Sequence, residues 1–368
     1  MKDGLGSMVG RTGGFYTFFL EFTGDHFMQY RRLGNTGIIV SRLCLGAMTF
    51  GGKATPPYDK VGGLDLAASG RLVDMALDAG INFIDTANVY ADGESESLLG
   101  QVLEGRREQV VLATKFHAPM GKGPNDAGQS RLHMTRALDA SLRRLRTDHV
   151  DLYQIHNFDD LTPMEETLRA LDDAVRAGKI RYIGCSNLAG WQVAKALGLS
   201  ALHDWSSFVS VQACYSLAVR DIEREILPQV EDAQLGLMAW SPLAGGLLSG
   251  KYGRDGSTDP DARRLHIAFP PVGQEHGLAV IDAVKAVAAR HGATPAQVAL
   301  AWVLAQPAVT SAVIGARRPE QLLDNLASLE LVLDTQDLAV LDAASAAPPS
   351  YPAWIRAMTN THREGFLR

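Results

Sequence analysis

Residues 110–156 read VVLATKFHAPMGKGPNDAGQSRLHMTRALDASLRRLRTDHVDLYQIH. A short apolar run stands at each end, Val110–Lys115 and Val150–His156. Between them Met134, Leu138, Leu142 and Leu145 recur at three- and four-residue spacing, so they share one face of a helix. The two runs are nearly continuous in apolar residues rather than alternating, which marks strands covered on both faces. Two such strands with a helix between them predict a parallel pair joined by a right-handed crossover.

The same alternation continues in both directions. A hairpin comes first, with Gln29–Leu33 and Ile38–Val40 around a turn at Gly34–Gly37. Further strands are expected at Arg42–Met48, Asn82–Thr86, Tyr182–Asn187, Ser210–Tyr215, Leu235–Ser241 and Thr310–Gly315. Helical faces recur at Met164, Leu168, Leu171 and Val175, and at Ile222, Ile226 and Val230. Thr294-Pro295 reads as an N-cap with proline in the first helical position, and Pro319 opens another helix in the same way. Gly80 and Gly178 stop helices. Eight strands after the hairpin permit closure into a (β/α)8 TIM barrel with an N-terminal β-hairpin and long βα loops. The competing architecture, an open doubly wound sheet, calls for G-x-G-x-x-G after its first strand, and none follows Leu43–Thr49.

No repeat or change of composition marks a second domain, so residues 28–368 are expected to form a single barrel domain. Residues 1–27 carry Gly-rich pieces and a short aromatic run, Phe15–Phe22, broken by Glu21. They read as a disordered extension, or as residues ahead of the protein's true start, and not as a signal peptide. The formal net charge is −6 with both signs scattered along the chain, which argues against nucleic acid or an acidic membrane as partner. Cys44, Cys185 and Cys214 give neither a disulfide framework nor a zinc pattern. They read as buried inert thiols of a cytoplasmic protein that holds no metal. No apolar run reaches the roughly 18 residues that cross a bilayer.

In a barrel the chemistry sits at the C-terminal strand ends, so the polar residues there matter most. One strand ends Phe83-Ile84-Asp85-Thr86-Ala87-Asn88-Val89-Tyr90. The next ends in Thr114-Lys115, and the one after in Gln154-Ile155-His156. Taken singly, each residue has an ordinary reading: Asp85 as a helix cap, Tyr90 as a loop aromatic, Lys115 reaching solvent, His156 as a satisfied core histidine. Their joint placement on three consecutive strand ends points to carbonyl reduction. That reaction needs a proton as well as a hydride, and a phenol near pKa 10 is a weak acid at neutral pH. A neighbouring ammonium is expected to lower that pKa, with Asp85 holding Lys115 in place and charged. His156 then orients the carbonyl by donating a hydrogen bond, and Tyr90 protonates the developing alkoxide.

In order and in context, Asp85, Tyr90, Lys115 and His156 resemble the catalytic tetrad of the aldo-keto reductases. The resemblance runs from about Met28 to about Leu331. YRRLGNTGIIVSRLCLGAMTFGG (Tyr30–Gly52) is similar to the family's opening hairpin and first strand, FIDTANVYADGESESLLG (Phe83–Gly100) to its tyrosine signature, and GKIRYIGCSN (Gly178–Asn187) to its fifth-strand signature. The resemblance implies a nicotinamide site in which Ser186, Asn187 and Gln212 meet the carboxamide and Trp240 stacks on the ring. It also implies that Ser241, Leu243, Gly245 and Lys251 follow the pyrophosphate, with Gly46 and Thr49 in the same groove. Gly315 and Arg317 stand at the end of the eighth strand and the start of a helix, where the resemblance implies that Arg317 takes a 2′-phosphate while Gln321 and Asn325 meet the adenine. That set favours NADPH over NADH. Arg318 is a further candidate contact.

GGLLSGK (Gly245–Lys251) satisfies the start of a P-loop, but Tyr252 stands where the Mg-binding Ser or Thr is needed, so an ATPase is rejected. Arg220, Glu223 and Glu225 read as a structural charge cluster. The substrate, a small aldehyde or ketone, is expected among the loops Phe50–Gly70, His117–Arg131 and Gly253–Gly277 and the tail Ala346–Arg368, with Tyr351 and Trp354 as candidate covers. Two other readings stay open: a lyase using Lys115 as a Schiff base, and an NADPH-binding redox sensor or channel-associated subunit.

Overall fold

The computed structural model of the chain describes residues 28–254 and 262–359. The expected extension 1–27 lies outside the described residues. Strands β1 (Tyr30–Arg32) and β2 (Ile39–Ser41) pair antiparallel as a hairpin. Eight parallel strands then close a barrel. They are β3 (Leu43–Gly46), β4 (Phe83–Asp85), β5 (Val111–Phe116), β6 (Val150–Ile155), β7 (Ile180–Ser186), β8 (Phe208–Cys214), β9 (Gly236–Trp240) and β10 (Val309–Ile314). β10 returns to pair with β3, and helices intervene between the strands, so the fold is a (β/α)8 TIM barrel.

The period of two sorts each strand's residues between two cores. Leu43 and Leu45, Ile84, Leu112 and Phe116, Tyr153 and Ile155, and Leu237 and Ala239 face outward and pack with the helices. Cys44, Phe83, Ala113, Leu152 and Met238 face inward and meet Leu33 and Val40 of the hairpin, which plugs the N-terminal mouth. Gly34 makes that plug possible. Its φ is +59°, and a Cβ there would lie 2.4 Å from the Val209 carbonyl oxygen. At the opposite mouth the inward phase brings up Gly46, Asp85, Lys115, Gln154, Ser186, Gln212 and Trp240. Register fixes their heights: Gly46 pairs with Asp85, Lys115 with Gln154, and Ser186 with Gln212.

Met134, Leu138, Leu142 and Leu145 are buried on one face of helix Arg131–Leu145, as their spacing predicts. Thr294 caps helix Pro295–Ala305 with a full capping box, accepting from Gln297 N. The face Ile222, Ile226 and Val230 does not belong to one continuous helix. A 3-10 turn, Asp221–Arg224, breaks at Glu225 before helix Ile226–Asp232. Pro228 explains the break, because its ring would strike the carbonyl of Arg224 if the helix ran through. Arg220 pairs with Glu223 and with Asp342, each at 2.7 Å, and lies over the Trp302 ring; Asp342 takes the place expected for Glu225. Among the described residues, no helix is long and apolar enough to cross a membrane.

Candidate active site

Lys115 is fully buried, and its ammonium has three donors to place. One goes to Asp85 Oδ2 at 2.5 Å, one to the Thr86 carbonyl at 2.8 Å and one to the Tyr90 hydroxyl oxygen at 3.4 Å. Asp85 is held in turn, its Oδ1 accepting from Gln154 Nε2 at 3.0 Å and Gln212 Nε2 at 2.9 Å. Both oxygens of the Asp85 carboxylate are thus matched, as a buried ion pair requires. Because Lys115 donates to the Tyr90 oxygen, the phenol's own proton is free to point elsewhere.

The backbone after β4 aims that phenol. Ala91, Asp92 and Gly93 all have positive φ, at 51°, 54° and 89°. Three left-handed residues in succession are costly and persist only where the surroundings hold them. Here Ala91 is buried, and Ser97 Oγ donates to the Gly93 carbonyl at 2.9 Å. The His156 ring meets the Tyr90 ring edge-on, with centroids 5.8 Å apart and planes at 82°. Burial, Lys115 and His117 push His156 down to about 3, so the imidazole is neutral at pH 7.

Tyr90 departs from expectation. Burial, with the nearby Asp85 carboxylate, raises its pKa above 10 by more than Lys115 and Arg263 lower it. The sequence shows the ammonium but not the desolvation, which arises only when the barrel mouth closes around the ring. Lys115 is itself raised: burial opposes the charge, but Asp85 and Tyr90 together outweigh it.

Beside these residues lies a cavity of about 680 Å³. Asp85, Tyr90 and His156 line it, while Lys115 sits behind them. All fourteen residues expected to hold a cofactor line the same cavity: Gly46, Thr49, Ser186, Asn187, Gln212, Trp240, Ser241, Leu243, Gly245, Lys251, Gly315, Arg317, Gln321 and Asn325. Several are also tied into the scaffold. Thr49 Oγ1 donates to the Ala316 carbonyl at 3.0 Å, joining the ends of β3 and β10. Trp240 Nε1 donates to Asn187 Oδ1 at 3.1 Å, and Asn187 Nδ2 to the His156 carbonyl at 2.9 Å. Ser241 Oγ accepts from Gly245 N at 2.8 Å, and Gln321 Oε1 from Arg317 N at 2.8 Å. Gly245 lets the chain pass, since a Cβ there would sit 2.1 Å from the Phe269 carbonyl oxygen.

The family profile of the aldo/keto reductases matches residues 42–346. The uncharacterized oxidoreductase YrpG of Bacillus subtilis is 41% identical over 89% of this chain and 100% of its own length. The versiconal hemiacetal acetate reductase of Aspergillus parasiticus is 33% identical over 86% of this chain and 96% of its own. A probable voltage-gated potassium channel subunit beta of Oryza sativa is 35% identical over 83% and 92%. The chain belongs to the aldo/keto reductase family.

In this aldo/keto reductase, several residues of the site escape a reading of strand ends. Gln154 supports Asp85 from β6, and its signal was a polar residue in the inward phase of an apolar strand two positions before His156. Arg263 brings a guanidinium whose Nε is buried without a partner. Tyr58 and Phe269 arrive on loops. The His117–Arg131 loop contributes no lining residue, contrary to expectation. It is drawn sideways instead: Gln129 N donates to Asp159 Oδ2 at 2.7 Å, and Gln129 Nε2 to the Asn157 carbonyl. Tyr351 and Trp354 do not cover the site either. They pack on each other and stay exposed.

Proposed function

We propose that this oxidoreductase reduces an aldehyde or ketone to the alcohol with NADPH, Tyr90 acting as general acid. The observation that carries the reading is the distribution of the Lys115 protons. The ammonium donates to Asp85, Thr86 and the Tyr90 oxygen, so the Tyr90 proton is the one available to a bound carbonyl. His156, depressed to about 3, carries no imidazolium proton to give up at neutral pH, and its remaining ring N–H serves as a neutral donor that fixes the carbonyl oxygen. A Schiff-base lyase is disfavoured, because Lys115 is fully buried and engaged in three directions.

The groove fits a dinucleotide phosphate. Lys251, Arg263, Arg317 and Arg318 line it together, and burial and the nearby Arg317 and Arg264 hold the Arg263 guanidinium below its usual range. The Arg263 guanidinium, its Nε buried without a hydrogen-bond partner, favours an anion there. A Cβ at Gly246 would meet nothing within 4 Å, and one at Gly315 only Thr49 Cγ2 at 3.8 Å, which leaves the backbone open to a ligand. Ser186, Asn187 and Gln212 would hold the carboxamide, Trp240 the ring and Arg317 the 2′-phosphate. When bound, the cofactor supplies the hydride. The protein positions the carbonyl with His156, excludes water with its aromatic wall and delivers the Tyr90 proton to the alkoxide oxygen. Lys115 stays protonated throughout and stabilises the phenolate that remains.

The test is consumption of NADPH, with NADH in parallel, against a panel of aldehydes at 340 nm. NADPH turnover is expected, and Arg317→Ala should weaken NADPH at least tenfold while changing NADH less than about threefold, as loss of a charge-assisted contact requires. Equal effects on both cofactors would remove the 2′-phosphate assignment. The likeness to a named potassium channel subunit favours a second reading, an NADPH-holding sensor. Tight NADPH binding with negligible turnover of every aldehyde would select it.

A further inference from the structure

We infer that Tyr58 is a specificity-determining residue of this site and that the preferred substrate carries its carbonyl on an aromatic ring, packed against the Tyr58 side chain; this rests on the carbonyl-reductase reading above. Tyr58 lines the cavity, and its ring lies 6.4 Å from the Tyr90 ring at a tilt of 58°. Tyr90 is therefore flanked by His156 edge-on and by Tyr58 inclined toward it. Phe269 also lines the cavity and is stacked on Trp240, centroids 5.6 Å apart and planes at 9°. Met48 and Val61 add apolar surface to the same lining. Such a chamber favours a flat apolar body over a flexible chain, because ring-on-ring contact adds to simple area burial and a rigid ligand loses little freedom.

Tyr58 is built into place. Its one-turn helix, Tyr58–Val61, sits in a loop that closes on itself: Gly51 N donates to the Leu64 carbonyl at 2.8 Å, and Gly63 N to the Gly51 carbonyl at 2.9 Å. Gly52 N is fastened to Glu94 Oε2 at 2.7 Å. The approach depends on missing side chains. A Cβ on Gly52 would lie 2.4 Å from Tyr58 Cβ, and one on Gly62 would lie 2.2 Å from the Thr49 carbonyl oxygen. Burial, Tyr90 and Asp92 push the Tyr58 hydroxyl up to about 12, so the phenol stays neutral.

The experiment compares kcat/KM for benzaldehyde and for hexanal in the unmodified chain, Tyr58→Phe and Tyr58→Ala, with NADPH binding by fluorescence as the check on folding. Tyr58→Ala is expected to lower the benzaldehyde-to-hexanal ratio about fivefold to tenfold, the size of a lost aromatic contact, while NADPH affinity holds. Tyr58→Phe keeps the ring and should keep the ratio within about twofold. An unchanged ratio in Tyr58→Ala with NADPH still bound would overturn the assignment of Tyr58 and leave the reductase reading intact. Loss of NADPH binding in Tyr58→Ala would also overturn it, by making Tyr58 a structural support of the cofactor groove. If the unmodified chain binds NADPH but consumes neither aldehyde, the reductase reading itself fails.

Discussion

Converting Asp85 to Asn should destabilise the fold by far more than its change in shape suggests. The substitution leaves the Lys115 ammonium sealed behind the cavity with only the Thr86 carbonyl and the Tyr90 oxygen as acceptors. The side chains of Lys115 and Asp85 are 0% and 3% exposed, so water cannot substitute for the lost carboxylate. The new amide conflicts as well, because its acceptor oxygen is wanted both by Lys115 and by the Gln154 and Gln212 amides. Removing one partner of such a pair costs about 3–5 kcal/mol. For a chain of 368 residues the unfolding entropy is about 0.8 kcal/mol per kelvin, so the midpoint should fall by about 4–6 °C. Lys115→Met should cost a similar amount. The double variant buries no charge and should be more stable than the sum of the singles by about 2 kcal/mol or more. Thermal unfolding by circular dichroism at pH 7 without cofactor reads all four proteins. Additivity within about 0.5 kcal/mol would refute the argument that the two charges depend on each other.

Two titrations give further tests. Tyr90 is raised above 10, so the reductase kcat/KM should stay level through pH 9 and fall only as the phenol ionises above about 10; a falling limb centred below pH 9 in the pH–rate profile would show that Lys115 outweighs burial. His156 has a folded pKa of about 3 against 6.5 for the free group, so the unfolded chain takes up its proton first as pH falls. The stability it contributes is present above about pH 6.5 and is lost at about 1.4 kcal/mol per pH unit between 6.5 and 3. His156→Gln should flatten the fall in unfolding midpoint between pH 6.5 and 5, and an unchanged slope would remove His156 as its source.

The barrel was legible because its evidence is local and repeated. Val150–Ile155 is apolar on both faces since helices cover it outside and the hairpin side chains fill the interior, and such burial writes itself into composition. Expected strand limits agree with the observed ones within two residues. The polar residues at the mouth were legible for a related reason: Asp85, Lys115 and His156 interrupt otherwise apolar runs. Tyr58 and Phe269 had no such contrast. Their positions depend on glycine-supported loops and on contacts with residues far along the chain, which no local pattern encodes. The charge on Lys115 could be read, but not the desolvation of Tyr90, because burial is a property of the closed barrel. The break before Ile226 was readable from Pro228, and the helical spacing of Ile222, Ile226 and Val230 masked it.

The most direct test removes one atom. In Tyr90→Phe the ring, the His156 contact and the Lys115–Asp85 pair can all persist, while the proton that the Lys115 arrangement leaves available is gone. Single-turnover and steady-state reduction of an aldehyde should slow by about 10²–10⁴-fold, with NADPH affinity changed less than about twofold. A variant that binds NADPH equally well and reduces the aldehyde within about tenfold of the unmodified rate would contradict the account, because the proton would then come from elsewhere.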